Sequence, residues 1–287
     1  MRYYPVTSQD GTVLQAWTND AAGPTVLLCN GLATNPHAWP GLLDRDCGVR
    51  IISWNHRGVG GSQRPADETR VGIDAFVEDA LAVMSAAGVS RCPAIGWSIG
   101  VNTAFELAVQ QPDRLSGILA VAGVPGATFT SVGAPLFIPR FVRRRLARVV
   151  MLALSRMAPT LNPLTARISM GPLATFLLQR SGLMFPGADP AVVRQAVLTY
   201  LDTPIEWGMH LARHADEHAR VSLTPIDFPV TFVAGKYDML ASAKDMRSSA
   251  EQIPGAKYVE LVGSHFIQME RPDEIRRQLF ALLERIG

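Results

Sequence analysis

Three residues far apart in the chain, Ser98, Asp238 and His265, have the types that together carry out nucleophilic acyl transfer. Ser98 is the centre of Gly96-Trp97-Ser98-Ile99-Gly100, a G-x-S-x-G pattern. A serine hydroxyl is a poor nucleophile until a base takes its proton. His265, in Gly263-Ser264-His265-Phe266, can be that base. Asp238, in Gly235-Lys236-Tyr237-Asp238, can accept the imidazole Nδ1–H, fix the tautomer and stabilise the imidazolium. The plainer alternatives are a chance match for the serine pattern, a turn or helix-cap role for Asp238, and a solvent-facing or core ring for His265. Asp202, Asp227 and Asp245 are weaker candidates for the acid.

What separates chemistry from chance is the elements that hold these residues. Residues 2–7 and 12–18 read as a hairpin turning at Asp10-Gly11. Residues 25–30 and 50–54 are short apolar strands of the buried kind, with a loop and a short helix around Trp39 to Leu43 between them. Residues 72–87 carry Ile73, Phe76, Ala80, Leu81 and Met84 at helical spacing. A strand at 92–97, a helix at 99–110 and a strand at 116–123 follow. Strand 229–234, helix 241–252, strand 257–262 and helix 273–285 close the chain. Ser98 therefore sits where a strand turns sharply into a helix, near free N–H groups that favour developing negative charge. Asp238 and His265 each follow a strand, which puts all three at one sheet edge.

With the order Ser98, Asp238, His265, the sequence resembles the α/β-hydrolase superfamily over nearly its whole length. The resemblance implies a mostly parallel central sheet flanked by helices. It extends to Cys29-Asn30-Gly31-Leu32, where relatives have His-Gly and an oxyanion-hole residue. It implies that the backbone N–H groups of Leu32 and Ile99 bind the oxyanion. Asn55-His56-Arg57-Gly58-Val59-Gly60-Gly61-Ser62 is similar to the family's D-x-R-G-x-G-x-S loop, whose plain role is a glycine turn tied by Arg57. Three residues depart from the pattern. Asn30 stands for the usual histidine, Asn55 for the usual aspartate, and Val101 for a second glycine after the elbow.

The β/α alternation breaks at residues 125–225, which hold no convincing strand. They read as several helices punctuated by prolines, among them Pro159, Pro163 and Pro172. A β/α chain so interrupted implies a core domain of residues 1–124 and 226–287 carrying an inserted all-helical unit at 125–225. The resemblance makes that insertion a cap over Ser98. Its many Met and Phe residues suit a deformable apolar pocket, though most must simply pack the insertion. Leu136, Phe137, Ile138 and Phe141 are among its apolar residues. The candidate pocket lining is Trp97, Met151, Phe176, Met184 and Phe266.

No Asp or Glu occurs from Arg114 to Ala188, a stretch that holds nine arginines with Arg114 included. The cationic stretch Arg140 to Arg156 reads as a solvated helix face, or as a basic amphipathic helix able to rest on anionic lipid. His210, His214 and His218 recur every fourth residue, but the H-E-x-x-H glutamate is missing. They fit an exposed or pocket-rim helix better than a metal site, and the triad's chemistry needs no metal and no cofactor.

Composition sets the remaining limits. The 287 residues are 48% hydrophobic and 18% charged, enough for a large core and too apolar for disorder. A net charge of +2 does not suggest nucleic acid. Cys29, Cys47 and Cys92 are too few for a disulfide framework. The N-terminus lacks a signal-peptide apolar region, and no run of 18 apolar residues appears, so a cytoplasmic location is expected.

The resemblance points to a carboxylesterase or lipase of the Lip type, acting on a small ester with an apolar acyl part. The Gly-Trp-Ser element is also similar to methyl-ester carboxylesterases. C–C bond hydrolases and cofactor-free haloperoxidases share the triad. Dehalogenases and epoxide hydrolases place Asp at the elbow, which Ser98 does not match. A ligand receptor with slow turnover is the reading from another class. Nothing in the sequence fixes an oligomeric state.

Overall fold

A computed structural model of the chain describes residues 1–126, 129, 131–133, 139–165, 167–219 and 221–287. Leu136, Phe137 and Ile138 of the insertion lie outside the described residues, as do the side chains of Arg140 and Phe141.

The chain opens with strands β1 (Arg2–Thr7) and β2 (Val13–Thr18), a hairpin whose turn is held by Thr12 N–H donating to Asp10 Oδ1 at 3.0 Å. β3 (Thr25–Cys29), β4 (Arg50–Trp54), helix α1 (Ile73–Ala86), β5 (Cys92–Trp97), α2 (Ile99–Gln110) and β6 (Leu115–Val121) follow. Helices α3 (Arg140–Thr165), α4 (Pro172–Leu178), α5 (Pro190–Leu201) and α6 (Ile205–Asp216) come next. The chain ends with β7 (Val230–Gly235), α7 (Ala243–Ala250), β8 (Lys257–Leu261), the short α8 (Ile267–Glu270) and α9 (Pro272–Ile286).

The eight strands form one sheet in the order β1-β2-β4-β3-β5-β6-β7-β8. β1 and β2 run antiparallel to their neighbours, and the pairs from β4 through β8 are parallel. This is the α/β-hydrolase fold that the sequence implied. Parallel strands must be covered on both faces, and the central ones are accordingly mostly apolar. Every residue of β5 and β7 is buried. One face packs on Phe76, Phe105, Trp207 and Met246, the other on Trp39, Val193, Leu279 and Leu282. The segment around Trp39 forms two short 3₁₀ turns, each opened by a proline, rather than one helix.

One expectation about the helices fails. Pro159 and Pro163 do not end a helix, because α3 runs through both as a single element of 26 residues. A proline inside a helix removes an intrahelical hydrogen bond and clashes with the preceding turn, at about 3 kcal/mol. Here packing on α6 offsets that cost. Arg144 and Arg148 both bond the Asp216 carboxylate. Past Pro159, Asn162 accepts from Ile205 N–H at 3.0 Å and donates to Glu206 at 2.7 Å, which pins the end of α3 to the start of α6.

The loop after β4 is anchored by a fully buried guanidinium. Arg57 bonds Asp79 on α1 through two nitrogens, at 3.0 and 2.7 Å, and also bonds Asp10, Ser8 and the Arg70 carbonyl. Beside it, burial holds His56 down to about 4, neutral at ordinary pH. Removing one member of such a buried pair strands the other without compensation, at about 3–5 kcal/mol. Arg57→Ala is therefore expected to lose about that much unfolding free energy in urea titration. A loss under about 1 kcal/mol would mean that water reaches Asp79.

Candidate active site

The loops at the carboxyl ends of β3, β5, β7 and β8 meet at one sheet edge, where open α/β sheets hold their ligands. Ser98 stands between β5 and α2 with φ +55° and ψ −119°, a conformation that few non-glycine residues adopt. The strand–helix crossing that forces it leaves no space at the flanking glycines. A Cβ on Gly100 would overlap the Cys29 carbonyl oxygen, and one on Gly96 would lie 2.7 Å from the Gly100 oxygen. The side chain of Val101 fills the space beside Gly123, which accounts physically for that departure from the family pattern.

Ser98 Oγ lies 2.9 Å from His265 Nε2, and His265 Nδ1 lies 2.9 Å from Asp238 Oδ2. Asp238 is 1% exposed. Its Oδ1 accepts from the backbone N–H groups of Leu240 at 2.7 Å and Ala241 at 2.8 Å, which fix the carboxylate plane. With Oδ2 facing Nδ1, the imidazole carries its proton on Nδ1 and leaves Nε2 free to accept from the serine hydroxyl. The Asp238 and His265 loops are tied together where Lys236 and Tyr237 N–H donate to the Leu261 and Gly263 carbonyls.

Three supports of this arrangement escaped the sequence reading. Glu270, buried on α8, accepts from Ser264 N–H at 2.8 Å, from Ser264 Oγ at 2.5 Å and from Phe185 N–H at 2.8 Å. It joins the histidine loop to the helical insertion. The only clue in the sequence is an acid set among apolar residues just after His265. Asn30, in place of histidine, is a hub for the loop after β3. Its Oδ1 accepts from Gly31 N–H and Trp39 Nε1, and its Nδ2 donates to the Asn35 carbonyl. Asn35 in turn donates to the Ala196 carbonyl on α5.

The third support is Trp97. It is also one of the residues expected to line a pocket. Its indole is buried beneath the loops, donates Nε1–H to the His265 carbonyl at 3.0 Å and packs against Gly31. It props both the loop after β3 and the histidine loop. Phe266 is half-buried, with its ring centroid 5.8 Å from Trp97 and 5.7 Å from His265. Met184 is buried in the same apolar cluster as Trp97. Met151 is buried on α3. Phe176 is half-exposed, with the Arg180 guanidinium 3.8 Å above its ring, and no described contact brings it to Ser98.

Leu32 lies in a tight bend in which Ala33 has φ +53° and Thr34 N–H and Oγ both donate to the Gly31 carbonyl. Ile99 is the first residue of α2. Among the described residues, no backbone acceptor takes the N–H of Leu32 or of Ile99. His210 and His214 of α6 and His218 just beyond it turn to separate partners. His210 bonds the Glu68 carbonyl at 2.7 Å, His218 bonds Glu106 at 2.9 Å, and His214 lies 3.6 Å from Glu217.

Comparison with known proteins agrees with this fold. Residues 24–272 match the family model described as alpha/beta hydrolase fold, so the chain belongs to that family of hydrolases. It is 22% identical to epoxide hydrolase A of Mycobacterium tuberculosis, over 92% of this chain and 91% of that one. It is 31% identical to RutD of Caulobacter sp. strain K31, a protein named for carbamate hydrolysis, over 121 residues. That match spans 40% of this chain and 45% of the relative. Among solved structures, the esterase RhEst1 from Rhodococcus sp. ECU1013 superposes with a TM-score of 0.75 at 19% identity, covering 100% of both chains. The enol-lactonase of Burkholderia xenovorans LB400 superposes at 0.71 with 21% identity, covering 99% of this chain and 100% of that one.

Proposed function

We propose that the protein is a serine carboxylesterase that hydrolyses small esters with an apolar acyl part through an acyl-enzyme on Ser98. The observation that carries this reading is the continuous hydrogen-bonded line from Ser98 Oγ through His265 to Asp238, with 2.9 Å at each step. Ser98 attacks the ester carbonyl carbon while His265 Nε2 takes its proton. The carbonyl oxygen becomes an oxyanion, held by the N–H groups of Leu32 and Ile99. The C–O bond to the alcohol breaks, and His265 returns the proton to the leaving oxygen. Water then attacks the acyl-enzyme, giving its proton to the same nitrogen, and the acid leaves as Ser98 regains its hydrogen.

The helical block α3–α6 acts as a cap over this site. It reaches the machinery through Phe185 on Glu270 and Ala196 on Asn35. Phe266, Met184 and Met151 are the apolar surface offered to the acyl chain. The epoxide-hydrolase likeness does not extend to the reaction, because Ser98 stands where those relatives place Asp. Carbamates and lactones present the same acyl carbon to the same triad, and both names occur among the relatives.

The test is steady-state turnover of p-nitrophenyl esters from acetate to laurate, alongside labelling by a fluorophosphonate. Multiple turnovers with one optimum of chain length are expected, the optimum giving the depth of the acyl pocket. Tight binding with a single turnover across the series would instead make the protein a receptor on this fold.

A further inference from the structure

Helix α3 faces the wrong way for a helix in contact only with water. Three of its polar side chains reach toward α6. Arg144 and Arg148 bond the Asp216 carboxylate, 3% exposed, at 3.1 and 2.6 Å, and Asn162 bonds Glu206 and the backbone of Ile205 on α6. Its apolar side chains turn outward. Val142, Leu146, Val149, Val150, Met157 and Leu164 are all exposed, Val149 by 62% and Leu164 by 56%. Their spacing of four, three, one, seven and seven residues is that of one helix face. At 1.5 Å per residue the stripe is about 33 Å long. An uncovered apolar surface of that extent marks an interaction site rather than ordinary scatter. On α4, Leu173 and Leu177 are exposed as well.

What covers the stripe follows from the charge around it. Arg145 and Arg156 are exposed on α3, Arg167 just beyond it and Arg180 after α4, within a segment, 114–188, that holds nine arginines and no acid. A second copy docking through this stripe would bring two arginine-rich segments together, which Coulomb repulsion opposes. An anionic bilayer satisfies both features, since its acyl region takes the valine, leucine and methionine side chains and its phosphates take the guanidinium groups. No helix among the described residues is long and apolar enough to cross a membrane, so the contact is peripheral.

We propose that the outer face of α3 is a docking surface for an anionic lipid membrane. This does not depend on the ester reading, because it uses no residue of the triad.

The whole protein is sedimented with phosphatidylcholine vesicles and with phosphatidylcholine vesicles containing phosphatidylserine. Partition is expected to be at least about tenfold stronger on the anionic vesicles and to fall as salt is raised. Leu146→Glu combined with Val150→Glu is expected to weaken that partition about tenfold or more. Arg145→Glu combined with Arg156→Glu is expected to remove the preference for phosphatidylserine. All four positions are exposed, so the thermal midpoint should be retained. If the first pair does not fold, Leu146→Ser with Val149→Ser makes the same comparison. Equal partition on neutral and anionic vesicles, or anionic binding indifferent to the Leu146 and Val150 changes, overturns the proposal. A concentration-dependent dimer in sedimentation equilibrium that those changes dissolve also overturns it, and gives the face to a second copy.

Discussion

Ser98→Ala is expected to cut ester turnover by about 10⁶-fold in kcat and to abolish fluorophosphonate labelling, with the fold intact. The size of the loss follows from how the residue is used. The hydroxyl is both the atom that forms the covalent bond and the sole donor to His265 Nε2 in the described site. Without it, His265 has no serine proton to draw, and in the proposed mechanism only binding, the oxyanion donors and slow attack by water remain. Stability should change little. Alanine keeps the same Cβ, so the backbone at φ +55° is no better and no worse accommodated. The Ser98 N–H donates to the Val121 carbonyl at 3.0 Å, a backbone bond indifferent to the side chain. The variant should therefore melt within a few degrees of the parent. Turnover retained above about a hundredth of the parent's, with labelling retained, would exclude Ser98 as the nucleophile.

The strands and the sites of the three chemical residues were legible because both rest on short-range rules. Runs such as Thr25–Cys29 and Cys92–Trp97 are apolar on both faces, a pattern that buried parallel strands require and few other elements tolerate. The elbow is a local pattern too, with small residues bracketing a strained turn. What the sequence hid depends on distant partners. Pro159 and Pro163 read as helix breaks because the local rule says so, and the contacts that override it come from Asp216 and Glu206, over forty residues away. Asn30 read only as a missing histidine. Its role as the hub for Gly31, Trp39 and Asn35 needs the fold to bring Trp39 within reach. Trp97 read only as a candidate pocket residue, and its bond to the His265 carbonyl needs the fold to bring β5 and the histidine loop together. The stripe on α3 was half legible, with its arginines visible in the sequence and its inverted orientation visible only in the structure.

Asp238→Asn is expected to lower kcat by about 10⁴-fold while leaving the Michaelis constant within a few-fold. The structure dictates which way the new amide sits. The position of Oδ1 receives two backbone N–H groups, from Leu240 and Ala241. Only the amide oxygen can accept them, so the amide nitrogen must occupy the Oδ2 position, 2.9 Å from His265 Nδ1. There it donates, and the shorter contact makes Nδ1 accept in place of donating to Oδ1 at 3.1 Å. The imidazole proton moves to Nε2, which then faces Ser98 with a hydrogen instead of a lone pair. The base is present, correctly placed and in the wrong tautomer. The imidazolium formed in the transition state also loses its buried counter-charge. Labelling by fluorophosphonate should slow by a similar factor, because it uses the same proton transfer, whereas the melting midpoint should hold since both backbone bonds survive. If kcat falls by less than about tenfold, another carboxylate supports the histidine. Asp245 accepts from Ser131 Oγ at 2.7 Å and would be the next residue to replace.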